Sequence, residues 1–269
     1  MRLIISHQTN YFYEQLALRS VQYIRMTPMT LPHQTIHNWQ VMLPKVAQMQ
    51  TDGFGNQWLT LSRHEPHNNL QIQAFGEVEI NADTLFIPDN QQVPYQIFAV
   101  PTKLTQCSEA MREFAHDALE QFLQSEDIDA QLAILKSLAK DLLDKMPYTK
   151  SVTHVGTTAE QAFAMAAGVC QDHTHVFLAL LRDKGIAARY VSGYIYEATQ
   201  AHMASHAWAE VWLAGNWYTF DISNQHFTPN CHVYIAFGRD YADAAPVRGV
   251  RTGGGDERLY SQVMVSTSP

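Results

Sequence analysis

At 269 residues the chain is long enough for one large or two ordinary domains, each with its own core. A hydrophobic content of 46% against 16% charged residues excludes a disordered chain. The formal net charge of −8, with basic residues scattered, excludes non-specific nucleic-acid binding and docking on an anionic membrane.

Met1–Tyr13 has one basic residue and lacks the apolar stretch and cleavage site of a signal peptide. No apolar run reaches the length of a membrane span. Short alternating runs follow at Val21–Ile24, Trp39–Val41, Trp58–Leu61, Leu70–Ala74 and Val78–Ile80. Turn-forming clusters at Asp52–Asn56, His67–Asn69 and Asn81–Asp83 separate them. Such spacing predicts an antiparallel β-sandwich or barrel-like domain over residues 1–105, with Pro94 and Pro101 at its exit.

Over residues 106–269 the character changes to α+β. Helical spacing runs through Ser108–Leu123 and Asp127–Met146. Thr157–Glu160 reads as a capping box opening a helix that lasts to Ala167, with Gly168 as a left-handed stop. A second helix begins near Cys170 and ends at Gly185, its apolar stripe carrying Val176, Phe177, Leu180 and Leu181. Strands are predicted at Ala188–Tyr194, His206–Leu213, Trp217–Asp221 and His232–Phe237.

Three residues then stand in a chemically telling order. Cys170 opens a helix, where unpaired N–H groups and the macrodipole favour a thiolate and can bind an oxyanion. His206 opens a strand and Asp221 closes the next. A thiolate attacks a carbonyl, an imidazole moves the proton and a carboxylate fixes the imidazole's tautomer. Most free cysteines are simply small buried hydrophobes, and Cys107 and Cys231 are read that way. Three cysteines without CxxC spacing fit free thiols in a reducing cytoplasm.

The carboxylate assignment depends on register. A two-residue turn at Gly215–Asn216 would set Asp221 opposite Glu210, about 13 Å along the strand from His206. A turn nearer Leu213–Ala214, or a bulge, would bring them together. Glu210 is the competing carboxylate, or else a buried ion-pair member. His202 and His206 have the spacing of a helical metal pair, but strand alternation separates them, and His173 and His175 face different sides of a helix. No metal or other cofactor is expected, and no acidic cluster resembles a calcium loop. Tyr148, Trp208, Trp217 and Tyr194 either line a substrate cleft or are plain core. Tyr148, Gln171 and Trp208 are the further substrate or oxyanion candidates.

Four segments in order, Gly168–Asp172, Ala188–Tyr194, His206–Trp208 and Phe220–Asp221, resemble the bacterial transglutaminase-like family. Phe237–Tyr241, Ala245–Gly249 and Gly253–Gly255 look like its C-terminal signature. Arg25–Pro28 and Asp52–Asn56 are similar to its accompanying N-terminal region. The resemblance implies a papain-like transglutaminase core, helices packed on an antiparallel sheet, with Cys170 as nucleophile, His206 as base and acid, and Asp221 as orienter. It implies a thioester intermediate and a peptide or protein substrate. Ile222–Ser223 stand where many relatives carry proline and threonine. Hydrolysis of an amide is the expected reaction, with glutamine-to-amine transfer as the alternative. A catalytically idle peptide-binding scaffold is the non-enzymatic reading.

Overall fold

The computed structural model describes residues 1–197 and 205–267. Two antiparallel sheets organise it. The first has seven strands, β1 (Arg2–Ile24), β2 (Gln34–Met42), β3 (Gln48–Thr51), β4 (Gln57–Arg63), β5 (His67–Ile80), β11 (Val247–Gly253) and β12 (Glu257–Thr267). The second has five, in the order β10 (His232–Gly238), β7 (Ala188–Ile195), β8 (His206–Leu213), β9 (Asn216–Phe220) and β6 (Ile87–Pro88).

β1 is the spine of the first sheet. Its first half pairs with β5 and β12, and its second half with β4 and β11. Between the halves the register shifts, and Glu14, Gln15 and Leu16 bulge into solvent. The β11–β12 turn needs left-handed backbone at Gly253, Gly254 and Gly255, which only glycine adopts without strain.

The division expected at residue 105 is therefore corrected at the sheet level. β11 and β12 come from the end of the chain yet complete the first sheet, because β1 is too long for one partner on either side. β6, from the first hundred residues, extends the second sheet. The cores merge as well: Leu3, Ile5, Val78, Ile80, Val263 and Val265 join one apolar cluster with Leu135, Phe177 and Val233. The second half of the first sheet encloses its own cluster of Ile24, Met26, Leu59, Leu61, Leu70 and Ile72.

The helices cover the second sheet. α1 (Glu109–Gln124) and α2 (Ile128–Lys145) are capped by Ser108 and Asp127, whose side chains accept from Met111 and Asp129 backbone N–H groups. α3 (Ala159–Met165) has its capping box at Thr158 and Gln161, one residue later than the sequence reading. Ala166, not Gly168, takes the left-handed C-cap, with φ of 50°. Gly168 is needed for another reason: a Cβ there would lie 2.6 Å from Asp172 Cβ. α4 (Cys170–Asp183) follows, every residue from Asp172 to Arg182 buried between the sheet and the outer helices.

Candidate active site

Asp172 builds the start of α4. Its Oδ2 accepts from Val169 N–H at 2.8 Å and from the Thr153 hydroxyl at 2.6 Å. Asp172 and His173 N–H groups both donate to Val169 O. Cys170 thus sits in the first helical turn, half-buried, where its own N–H has no carbonyl within the helix. His173 is a brace: its ring nitrogens meet Ser223 Oγ at 2.8 Å and Met146 O at 2.7 Å.

The β8–β9 turn decides the partner of His206. The two central residues are Ala214 and Gly215, both left-handed with φ of 47° and 86°, as a type I′ hairpin requires. Leu213 then faces Asn216 and Ala209 faces Phe220. Moving the turn one residue earlier than Gly215–Asn216 slides the register by two and keeps each side chain on its face. Asp221 falls opposite Trp208 rather than Glu210, diagonal to His206 and within reach. His206 Nε2 donates to Asp221 Oδ2 at 2.7 Å.

Asp221 is fully buried and held by more than one ring. Its Oδ2 also accepts from His232 Nε2 at 3.1 Å and from Asn224 Nδ2 at 2.9 Å, and its Oδ1 from Asn224 N–H at 3.2 Å. Burial pushes the carboxyl up, but the imidazoles of His206 and His232 outweigh it and hold it well below the usual carboxylate range. Burial likewise lowers the His206 ring, and Asp221 and then Cys170 reverse the effect, holding the imidazolium well above its usual range. With Nε2 engaged by Asp221, Nδ1 is the ring atom left for the sulfur. His232, buried and lowered by desolvation, stays neutral and donates.

His232 and Asn224 escaped the sequence reading. Asn224 sits three residues after the aspartate, an Asx-type spacing that points back at it. His232 lies two strands from His206, since β7 stands between β8 and β10, and one histidine among thirteen carries no signal without the strand order.

His206, Asp221 and His232 are also the described residues whose ligand atoms cluster as for a metal ion. Tetrahedral ligands at zinc distances would lie about 3.3 Å apart. The 2.7 Å approach of Nε2 and Oδ2 is that of a hydrogen bond. His202, half of the sequence-level metal pair, lies outside the described residues.

Cys170 and His206 line one cavity of about 390 Å³ together with Tyr148, Gln171 and Tyr241. Tyr148 is 47% exposed, and burial with the nearby Cys170 charge pushes its phenol up to about 12, so it remains a donor. The Gln171 side-chain amide is engaged at the cavity wall, donating to Val155 O at 3.2 Å. Trp208 is corrected: it is fully buried beneath His206, packed on the His232 ring at 4.6 Å, and cannot touch substrate. Tyr194 and Trp217 are core as well. Glu210 is an ion-pair member, bound to Arg189 at 2.6 Å and accepting from the Tyr234 hydroxyl at 2.8 Å. Arg189 lies between the rings of Trp217 and Phe237. Cys107 and Cys231 are buried, and desolvation pushes their thiols up to about 11 and about 12.

Residues 119–222 match the model of the transglutaminase-like superfamily, and residues 3–79 match the bacterial transglutaminase-like N-terminal region. The chain belongs to the transglutaminase-like superfamily. Within it, this transglutaminase-like protein is 26% identical to an uncharacterized protein of Mycobacterium leprae over 94% of both chains. It is equally 26% identical to an uncharacterized protein of Mycobacterium tuberculosis, covering 93% of this chain and 87% of that one. The solved structure of a Cytophaga hutchinsonii protein described as a "Putative Cysteine Protease" superposes with a TM-score of 0.77, at 22% identity, over 99% of this chain and 90% of that one. That likeness establishes the fold, a papain-like transglutaminase core.

Proposed function

We propose that the protein hydrolyses amide bonds of peptides through a Cys170 thioester, with His206 as proton carrier and Asp221 as its orienter. The observation that carries the reading is the His206 ring, bound through Nε2 to the buried Asp221 carboxylate at 2.7 Å and lining one cavity with Cys170. The proposed reaction starts from a thiolate–imidazolium pair.

The thiolate adds to the amide carbonyl, and the negative charge on oxygen meets the Cys170 N–H at the start of α4. The Tyr148 hydroxyl, in the same cavity, serves as a second donor. The C–N bond breaks as His206 gives its proton to the departing nitrogen. Water, deprotonated by the now neutral imidazole, attacks the thioester and releases a carboxylic acid and the thiolate. A primary amine in place of water would complete the transfer reaction instead. Cys170 is only partly buried and lines an open cavity, which leaves a thioester there within reach of water and favours hydrolysis. The free thiols suit a reducing cytoplasm.

Iodoacetamide labelling followed by peptide mapping tests the nucleophile. Cys170 should alkylate at least about a hundredfold faster than Cys107 and Cys231 at pH 7, as a buried thiol pushed to about 11 or 12 contributes little thiolate. Equal rates at all three would remove the ion-pair argument. Mass spectra of peptide products, with and without an added amine, then separate hydrolysis from transfer.

A further inference from the structure

The catalytic cavity is not isolated. It shares Val155 and Tyr241 with a neighbouring cavity of about 520 Å³, whose far wall is the first sheet, with Tyr11 and Tyr13 of β1. That cavity in turn shares Ala242, Arg248, Gly249 and Val250 with a third of about 410 Å³, which contains Tyr23 and Trp58. Together they make a groove leading from Cys170 across the returning strand β11, with the rings of Tyr148, Tyr241, Tyr11, Tyr13, Tyr23 and Trp58 spaced along it.

Its charge runs against the rest of the molecule. In a chain of formal charge −8, the described residues of the groove include Lys150, Arg25, Arg248 and Arg251 and a single carboxylate, Glu257. Two of those arginines are already neutralised. Arg25 pairs with Asp52 at 3.2 Å and Arg251 with Glu257 at 3.4 Å. Arg248 is exposed, stands where two cavities meet and donates to a carbonyl, Ala242 O at 3.0 Å. Among the described residues no carboxylate pairs with it.

We propose that this groove is a specificity subsite for an extended acidic peptide segment adjoining the scissile amide, with Arg248 as the anchor for its carboxylate. The inference rests on the amide-hydrolase reading and gives the first sheet a task, selection of substrate by charge. Aromatic faces hold the chain, and the arginine fork reads the carboxylate.

The test uses acetylated, C-terminally amidated peptides that differ only in carrying Glu, Gln or Lys at the positions flanking the cleaved bond. The Glu peptide should exceed the Gln peptide in kcat/KM by about fivefold at low salt, with the Lys peptide lowest and the differences shrinking as salt rises. Arg248→Ala should bring the three within about twofold of one another, and Arg248→Glu should reverse their order. A preference that appears only when the C-terminus is left free would assign the anchor to a terminal carboxylate. Fluorescence anisotropy of labelled versions on Cys170→Ala protein reads binding without chemistry. Acidic binding that depends on Arg248, without turnover by the intact protein, would uphold the subsite and sink the hydrolase reading. Turnover indifferent to peptide charge and to Arg248 would overturn the subsite alone, as would failure of every peptide to bind.

Discussion

Along β1 and β5 buried and exposed residues alternate, whereas β7 and β10 are buried from end to end. The first sheet has one solvated face over much of its length, so its strands need only apolar residues at every second position. The second is covered on both faces, yet it contains His206, Asp221, His232, Arg189 and Glu210, all buried. Charges in such a place must be paired, and each pairing there is also stronger than it would be in water. On the proposed reading, the contrast separates a surface for recognition from an interior for proton movement.

The largest effect that would sharpen this contrast is chemical. Cys170→Ala should lower peptide turnover by at least about 10³-fold while leaving the unfolding midpoint in urea nearly unchanged. Asp221→Asn should cost about 10³–10⁴-fold in kcat, since the amide no longer fixes the ring's tautomer. His232→Gln removes one charge-assisted bond to Asp221, and a loss of about tenfold is expected. As a positioning residue, His232 should also shift the acid limb of the pH–rate profile; a lower rate with an unshifted profile would reduce it to packing.

The next effect is on stability. Arg189→Met strands the buried Glu210 without its cation, and should cost about 3–5 kcal/mol in denaturant unfolding. On the first sheet the two faces should differ: Ile5→Ala about 2–5 kcal/mol, and Ile4→Thr, on the solvated side, within about 0.5 kcal/mol. Equal costs for Ile4 and Ile5 would break the comparison.

A smaller, pH-dependent effect comes from three buried histidines. Burial lowers His7 and His33 to about 4 and His175 to about 3. A ring depressed in the folded state stabilises above its unfolded value of about 6.5, and that stability is lost as pH falls through the folded values. Urea unfolding should therefore weaken steadily between about pH 6.5 and pH 3. His206 has the opposite sign, its contribution lost as pH rises through its elevated value. A flat profile below pH 6.5 would show that the three rings stay accessible to protons.

Much of the core was legible in the sequence because its signals are local. The start of α4 at Cys170 follows from a helix stop and an apolar stripe, and β8 was read with its observed bounds. The register between β8 and β9 was not, since Gly215 can occupy either position of a two-residue turn and the choice moves Asp221 by two residues. The first half of β1 was missed for a different reason. Its inward positions include His7 and Thr9, which look like loop residues until Tyr194 and Ser261 are seen to satisfy the His7 ring. Polar pairs formed across 187 and 254 positions of chain leave no trace in a local pattern.

β12 completes the sheet that β1 begins, with Leu3 facing Thr267. During synthesis the opening strand must wait for every segment between it and β12 to emerge before that flank is covered. The wall bearing Arg248 forms at the same late stage, so the Cys170 segment is made before the proposed subsite is assembled. Late closure of the sheet would thus delay the proposed charge selection until β11 and β12 are in place.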